Sequence, residues 1–428
     1  MRTAVARLSM KTMFGDLKRL RVPTHLLLSL FIQGLSVIIP FALVPFYARI
    51  LGAAGMGSLA IAQSFSLIVG SVVDFGFHIS GTRAIALNRE NLESVSGIFA
   101  DVQSAKLVMT LLVAAAAVVA AFAVPVARHN LALFSWSAAY GIVQGATLTW
   151  FFGGLQRQAF GISLDLAARL TALPFIFVSV HAAADAWKVQ ASFAVFQAIW
   201  IGVALFFAYR ACRFVPLSWS RALRMFHEGR HIFFQHVVGM FYNSSTSLLF
   251  GLVSASFGVG IYAGAERIAR MPLMPITPYR QIFFPILAER IGTSREQAAI
   301  LWRRLSLLAM AVMVPCTVLL FVFAGPIVRV VLGSQFAASV PVLRTLAFLP
   351  VLVAAGELFG IYWLLPNKHD AIASRCLLAC TIAHIIILPV LGFFLGAVGA
   401  ASAVVLSQGL FVVLTALACL RAESGRKP

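Results

Sequence analysis

The stretch LSLLAMAVMVPCTVLLFVFA, residues 305–324, runs for twenty residues without a charged side chain. A helix rises 1.5 Å per residue, so such a run spans roughly 30 Å, the hydrocarbon thickness of a bilayer. It is one of twelve. The others lie near 26–48, 58–79, 105–127, 131–153, 162–181, 190–209, 232–255, 259–288, 343–365, 375–394 and 398–420. The runs are long and continuous rather than alternating, which fits helices and not the strands of a membrane barrel. The expected fold is an all-α polytopic membrane protein with about twelve transmembrane helices.

Composition points the same way. Of 428 residues, 61% are hydrophobic and 11% charged, where a soluble domain carries about a quarter charged residues. So little polar surface cannot clothe a water-facing fold, but it suits one whose outer solvent is lipid. The net charge of +19 would suit nucleic acid, yet its distribution argues against that partner. With a cytoplasmic amino terminus, the outside connections hold only Arg49, Arg128, Lys188, Arg329 and Arg344. Most other basic residues fall in the termini and inside loops. That is the positive-inside bias, and it assigns both ends to the cytoplasm of a plasma-membrane protein, with anionic headgroups as a secondary partner. The basic segment 1–22 precedes an apolar run too long for a signal peptide, so a retained first helix is expected.

No connection is long enough to form a separate domain. The largest inside loops, 80–104 and 210–231, read as amphipathic surface helices. A glycine pattern recurs half a chain apart, as Gly55 and Gly57 after helix 1 and as Gly258 and Gly260 after helix 7, with Gly396 and Gly399 between helices 11 and 12. Two parallel six-helix halves would produce this; so would three tight hairpins that simply need glycine. The expected organisation is a basic amino terminus (1–22), a first bundle (23–209), a basic linker (210–231), a second bundle (232–420) and a tail (421–428).

Each ionisable group inside a span is a candidate, because burying it unpaired is costly. The most unusual run is Ile261-Tyr262-Ala263-Gly264-Ala265-Glu266-Arg267-Ile268-Ala269-Arg270-Met271-Pro272. Counted from Gly258, Arg267 lies roughly 14 Å deep, near the midplane. Glu266 and Arg270 stand four apart and can pair on one face, which leaves one guanidinium unmatched. The pattern fits an anion site, since guanidinium binds phosphate through bidentate, charge-assisted bonds; it also fits a structural ion-pair cluster. Pro272, Pro275 and Pro278 each remove a backbone donor and allow a bend. Arg49 either guards the cavity rim or snorkels to the headgroups. Asp74 reads as a proton or cation site, or as a partner of Arg83. Glu357 has no basic residue one turn away and suits either a proton carrier or an inter-helix structural carboxyl.

Chemistry is otherwise sparse. Cys376 and Cys380 are one turn apart, but no nearby His or carboxylate completes a tetrahedral set, so no metal site is expected. No phosphate-binding loop, dinucleotide fingerprint or nucleophile elbow occurs, and no cofactor or catalytic residue is expected.

Several motifs resemble the opening of O-antigen and exopolysaccharide flippases: Pro45-Phe46-Tyr47-Ala48-Arg49-Ile50-Leu51-Gly52, Asp74-Phe75-Gly76-Phe77 and Gly81-Thr82-Arg83. Further matches are Trp150-Phe151-Phe152-Gly153-Gly154-Leu155-Gln156, the segment Tyr262 to Arg267, and Val331-Leu332-Gly333-Ser334-Gln335-Phe336. The resemblance, to the polysaccharide-transporter branch of the multidrug/oligosaccharidyl-lipid/polysaccharide exporter superfamily, covers nearly the whole chain in order. It implies two six-helix bundles around a central cavity with alternating access. It also implies an undecaprenyl-diphosphate-linked oligosaccharide substrate moved from the cytoplasmic to the periplasmic leaflet of the inner membrane, with the polymerase and chain-length machinery of that pathway as partners. Diphosphate binding would fall on Arg267, with Arg270 and Arg49 behind it; Asp74, Glu266 and Glu357 are the ion-coupling or gating candidates. One departure is Thr246 in Tyr242-Asn243-Ser244-Ser245-Thr246, where many members carry Asp. Two other functions are weighed: an ion-coupled drug or small-metabolite antiporter of the same superfamily, whose cavity would more often be acidic, and a membrane ligase or polymerase, which short outside loops disfavour.

Overall fold

The computed structural model describes residues 32–123, 128 and 130–424, apart from 33 and 37. The segment 1–22 and part of the first expected span therefore lie outside the described residues. Among those described, seven helical segments are long and apolar enough to cross a bilayer, and two of them, Val44–Asn88 and Asp370–Ala422, run to 45 and 53 residues. Each of these two folds back on itself at a glycine.

The first helix, α1 (Val44–Asp74), reverses at Gly52, and the last, α16 (Asp370–Ser424), at Gly396. Both glycines have positive φ, 64° and 59°, a region that a Cβ would penalise. These are the hairpins between helices 1 and 2 and between helices 11 and 12.

Between them the chain runs α2 (Phe77–Asn88), α3 (Leu92–Ala123), α4 (Leu131–Gly145), α5 (Thr149–Gly154), α6 (Gln158–Ser179), α7 (Ala186–Ala211), α8 (Trp219–Ser244) and α9 (Thr246–Gly251). It continues as α10 (Ser256–Arg270), α11 (Ile276–Thr293), α12 (Arg295–Val322), α13 (Ala324–Val331), α14 (Ser339–Leu346) and α15 (Leu349–Phe359). Several expected spans are broken in two. Helix 4 is α4 then α5, helix 7 is α8 then α9, and helix 8 is α10 then α11, parted by a 3₁₀ turn at Met271–Leu273 where Pro272 cannot donate. With α1 and α16 each counted as two crossings, α2 as the continuation of helix 2, α14 and α15 together as helix 10, and the short α13 as a connection, the described elements give the twelve-helix, two-bundle fold.

The two long inside loops differ from expectation. Residues 92–104 continue straight into the third span, because Val95, Phe99 and Val102 are buried in one cluster with Trp150 and Phe151. Likewise 219–231 is one helix with the seventh span, held to α3 by an ion pair of 2.8 Å between Arg221 and Asp101.

The exterior is apolar: Leu307, Phe214 and Val178 are each more than 70% exposed. Polar groups are turned inward, as in the buried set of Ser66, Ser137 and Gln190, where the Gln190 amide donates to both hydroxyls. This inverted arrangement suits lipid as outer solvent, and the chain is a multi-pass membrane protein.

The two halves meet most tightly where α1 crosses α10. A Cβ on Gly57 would lie 1.7 Å from the Ser256 carbonyl oxygen, and one on Gly260 would lie 1.8 Å from that of Ala53. Residues 53 and 57 thus contact 260 and 256 reciprocally, an approximate two-fold relation. The glycine pattern recurring in the sequence is the crossing of the two halves.

Candidate functional site

A cavity of about 410 Å³ lies between the halves. Tyr47, Gln63, Tyr140 and Arg169 line it from α1, α4 and α6; Asn243, Thr246, Glu266, Arg267 and Arg270 line it from α8 to α10.

Helix α10 sets the electrostatics. Its Ile261, Ala265 and Ile268 are buried in the largest apolar cluster, which turns 266, 267 and 270 toward the cavity. Glu266 accepts a hydrogen bond of 2.9 Å from Nε of Arg270, four residues on. A second nitrogen of Arg270 donates to the Asn243 carbonyl at 3.2 Å, at the broken end of α8. The carboxylate is thereby committed to Arg270.

Arg267 has no carboxylate of its own. It donates to Oε1 of Gln63 at 2.5 Å, and its guanidinium carbon stands 5.8 Å from the centre of the Tyr47 ring. Its other terminal nitrogen, Nη1, is buried without a hydrogen-bond partner. A buried, half-satisfied guanidinium is costly unless something else completes it.

Sequence reasoning missed Arg169. It faces the same cavity from α6 and pairs with Asp165 at 3.3 Å; Asp165 also accepts from Gln197 at 3.0 Å. The i,i+4 spacing of Asp165 and Arg169 inside an apolar run was the available signal. Three guanidiniums line the cavity with one carboxylate, Glu266, and Asp165 stands behind Arg169 outside the lining.

The remaining predicted residues lie elsewhere. Arg49 is exposed, beside the buried Ala48 and the Gly52 hairpin, and does not line the cavity. Asp74 is not bonded to Arg83. It accepts from Lys106 at 3.0 Å and lies 2.5 Å from Nδ1 of His78. Lys106 is buried and also donates to the carbonyls of Gly145 and Thr147, at 2.7 and 3.2 Å, at the end of α4. Lys106 outcompetes Arg83 because the latter sits on the exposed face of α2.

Glu357 has a basic partner from another helix, Arg280 of α11 at 3.4 Å, while its second oxygen is buried without a hydrogen-bond partner. Both line a second cavity of about 570 Å³, which adjoins the first at Asn243. Thr246, which stands where an Asp was expected, lies 3.2 Å from Nε2 of the buried His384, whose Nδ1 is 3.0 Å from the Ser407 hydroxyl.

Among the described residues, the two halves face each other across a polar cavity lined from both sides. Solved structures share this fold. An inward-facing MATE-family multidrug transporter of the MOP superfamily aligns with a TM-score of 0.64 and 13% identity, covering 91% of this chain and 98% of that one. The lipid II flippase MurJ, in an inward closed conformation, aligns with a TM-score of 0.62 and 12% identity, over 92% of this chain and 87% of that one. Residues 25–290 match the model of a family described as polysaccharide biosynthesis protein, and the chain belongs to that family. A relative from Escherichia coli (strain K12), named "Putative O-antigen transporter", is 23% identical over 391 residues, covering 90% of this chain and 93% of that protein. One of the same name from Shigella dysenteriae is 22% identical over 395 residues, covering 91% and 98%.

Proposed function

We propose that this protein is a flippase for lipid-linked oligosaccharides, carrying an undecaprenyl-diphosphate-linked repeat unit from the cytoplasmic to the periplasmic leaflet of the inner membrane by alternating access. The observation that carries this is Arg267: a guanidinium between the two halves, without a carboxylate, with Nη1 unpartnered. The energetic problem of such a substrate is its anionic diphosphate, since the prenyl tail can stay in lipid. Arg267 meets the diphosphate directly. Arg270 contributes positive potential while its geometry is held by Glu266, and Arg169 completes the cationic lining from the opposite half. Arg49, exposed near the Gly52 hairpin, acts on substrate at the outer rim. The names of the matched relatives and of MurJ support the substrate class. A cavity with more cations than carboxylates disfavours the drug-antiporter alternative.

The three acidic candidates divide. Glu266 and Asp74 are each held by a cation and act as fixed partners that carry the geometry through the transport cycle. Glu357, with one oxygen unpartnered, is the coupling candidate. The O-antigen and polymerase-coupled settings are the natural ones for such a substrate, with the non-helical stretch 212–218, inside the expected linker 210–231, as the hinge between halves.

The test is complementation of a flippase-deficient strain by Arg267→Gln and Arg267→Lys at matched membrane levels. Loss with Gln and partial retention with Lys supports the role; full activity of Arg267→Gln removes Arg267 from the mechanism.

A further inference from the structure

At the end of the helices away from the Gly52 and Gly396 hairpins, two side chains one helical turn apart meet a third that is distant in sequence. Asp74 closes α1, His78 follows one turn on in α2, and His236 comes from α8. One ligand atom from each lies within 4.8 Å of the others. The His78 and His236 rings are 4.7 Å apart at 58°, and Oδ2 of Asp74 is 2.5 Å from Nδ1 of His78.

We propose that Asp74, His78 and His236 form a divalent transition-metal site, best suited to Zn²⁺, that joins the two halves of the protein at this end. Two imidazoles and one carboxylate are borderline donors of the kind Zn²⁺ takes, with a fourth position left for water. Tetrahedral Zn²⁺ with bonds near 2.0–2.2 Å places its ligand atoms roughly 3.3 Å apart. The site reaches that by small side-chain shifts, opening the Asp74–His78 contact and drawing His236 in. His78 is 42% exposed, so an ion enters from solvent.

The surroundings are those of a supported ligand set. The other oxygen of Asp74 is held by Lys106, which is itself fixed by two carbonyls. A ligating carboxylate oriented by a hydrogen bond through its second oxygen is the usual outer-shell arrangement. Lys106 also opposes the ion electrostatically, which favours a site of moderate affinity, loaded reversibly, over a permanent structural one.

His236 spans the seam. Its neighbours Gln235 and Val238 are tied to α16, through the Ser374 hydroxyl at 3.3 Å and the Thr381 hydroxyl at 3.5 Å. Asp74 and His78 belong to the α1–α2 corner, where Phe75 stacks on Phe233 of α8 at 4.2 Å and 9°. A metal here would hold α8 and α16 against α1 and α2. That it would thereby arrest transport rests on the alternating-access reading above; that it binds does not.

The experiment is equilibrium titration of the purified full chain in lipid nanodiscs with Zn²⁺, competed against a chromophoric chelator, followed by thermal unfolding with and without Zn²⁺. The expected result is one Zn²⁺ per chain and a Zn²⁺-dependent rise in Tm. Both are lost in His236→Ala and His78→Ala, with affinity reduced at least about tenfold, and both are retained in His231→Ala. Should an alanine variant fail to fold, His236→Gln replaces it, keeping polarity and volume while removing the ligand. Absence of stoichiometric binding, or equal affinity in the wild type and in His236→Gln and His78→Ala, overturns the site. Neither result depends on transport, so failure of the metal site and failure of the flippase reading are separately visible.

Discussion

At the scale of single residues, one guanidinium separates this cavity from a neutral polar cleft. Glu266 sits beside both arginines in sequence, but in space it is bonded to Arg270, and the charge left over belongs to Arg267. Charge-assisted hydrogen bonds contribute about 1.5–3 kcal/mol each, so Arg267→Gln is expected to lower transport about 10- to 100-fold with normal membrane insertion, checked by complementation at matched protein levels. Glu357→Gln tests the coupling candidate: transport is expected to lose its dependence on external pH, and an unaltered profile assigns Glu357 to packing alone. The pair of Asp74 with the buried Lys106 is expected to bear on stability. Lys106→Met strands a carboxylate and two carbonyls, at a cost of about 3–5 kcal/mol, and Asp74→Asn in the same chain is expected to recover part of it, read as Tm in detergent. The pairing of Glu266 with Arg270 was legible because it follows helical spacing. Those of Asp74 with Lys106, 32 residues apart, and of Glu357 with Arg280, 77 apart, were not, since only the packing of different helices brings these groups together. Arg169 was passed over although its partner lies one turn away.

Among elements, the decisive contact is the crossing of α1 and α10. Neither Gly57 nor Gly260 can carry a Cβ without moving the facing backbone, so Gly260→Val is expected to separate the halves and cost several kcal/mol, above the 1–3 typical of overpacking. Gly97→Ala, which meets nothing within 4 Å, is the matched control, and both are read by thermal unfolding. The sequence motifs behind the family resemblance are mostly contacts between elements. Gly81 of α2 lies against the Trp150 ring of α5, Thr82 donates to the Trp150 carbonyl at 3.1 Å, and Gln335 donates to the carbonyl of Ala48 at 2.6 Å. Hydropathy located the spans but not their breaks at 146–148, 245 and 271–275. An apolar run reads the same whether or not its hydrogen-bond ladder is interrupted, and only the prolines beginning at Pro272 announced one of them. The start of the third span at Leu92 was hidden because its first turns bury one face and expose the other.

For the whole molecule, composition pointed to lipid as the outer solvent and charge bias to an expected orientation, while the cavity lies between the halves, lined by residues of both α1 and α10. That the halves pair about an approximate two-fold was foreshadowed by the recurring glycines, though the sequence equally allowed independent hairpins. Every functional role proposed above requires that this molecule carry a lipid-linked sugar across the bilayer. The most direct measurement is the leaflet distribution of the lipid-linked oligosaccharide in cells depleted of the protein, reported by a probe that reaches only the periplasmic face. Accumulation of the intermediate out of the probe's reach, reversed by the wild type and not by Arg267→Gln, is the predicted result. An intermediate that reaches the periplasmic face normally in depleted cells contradicts the account and places the protein after translocation.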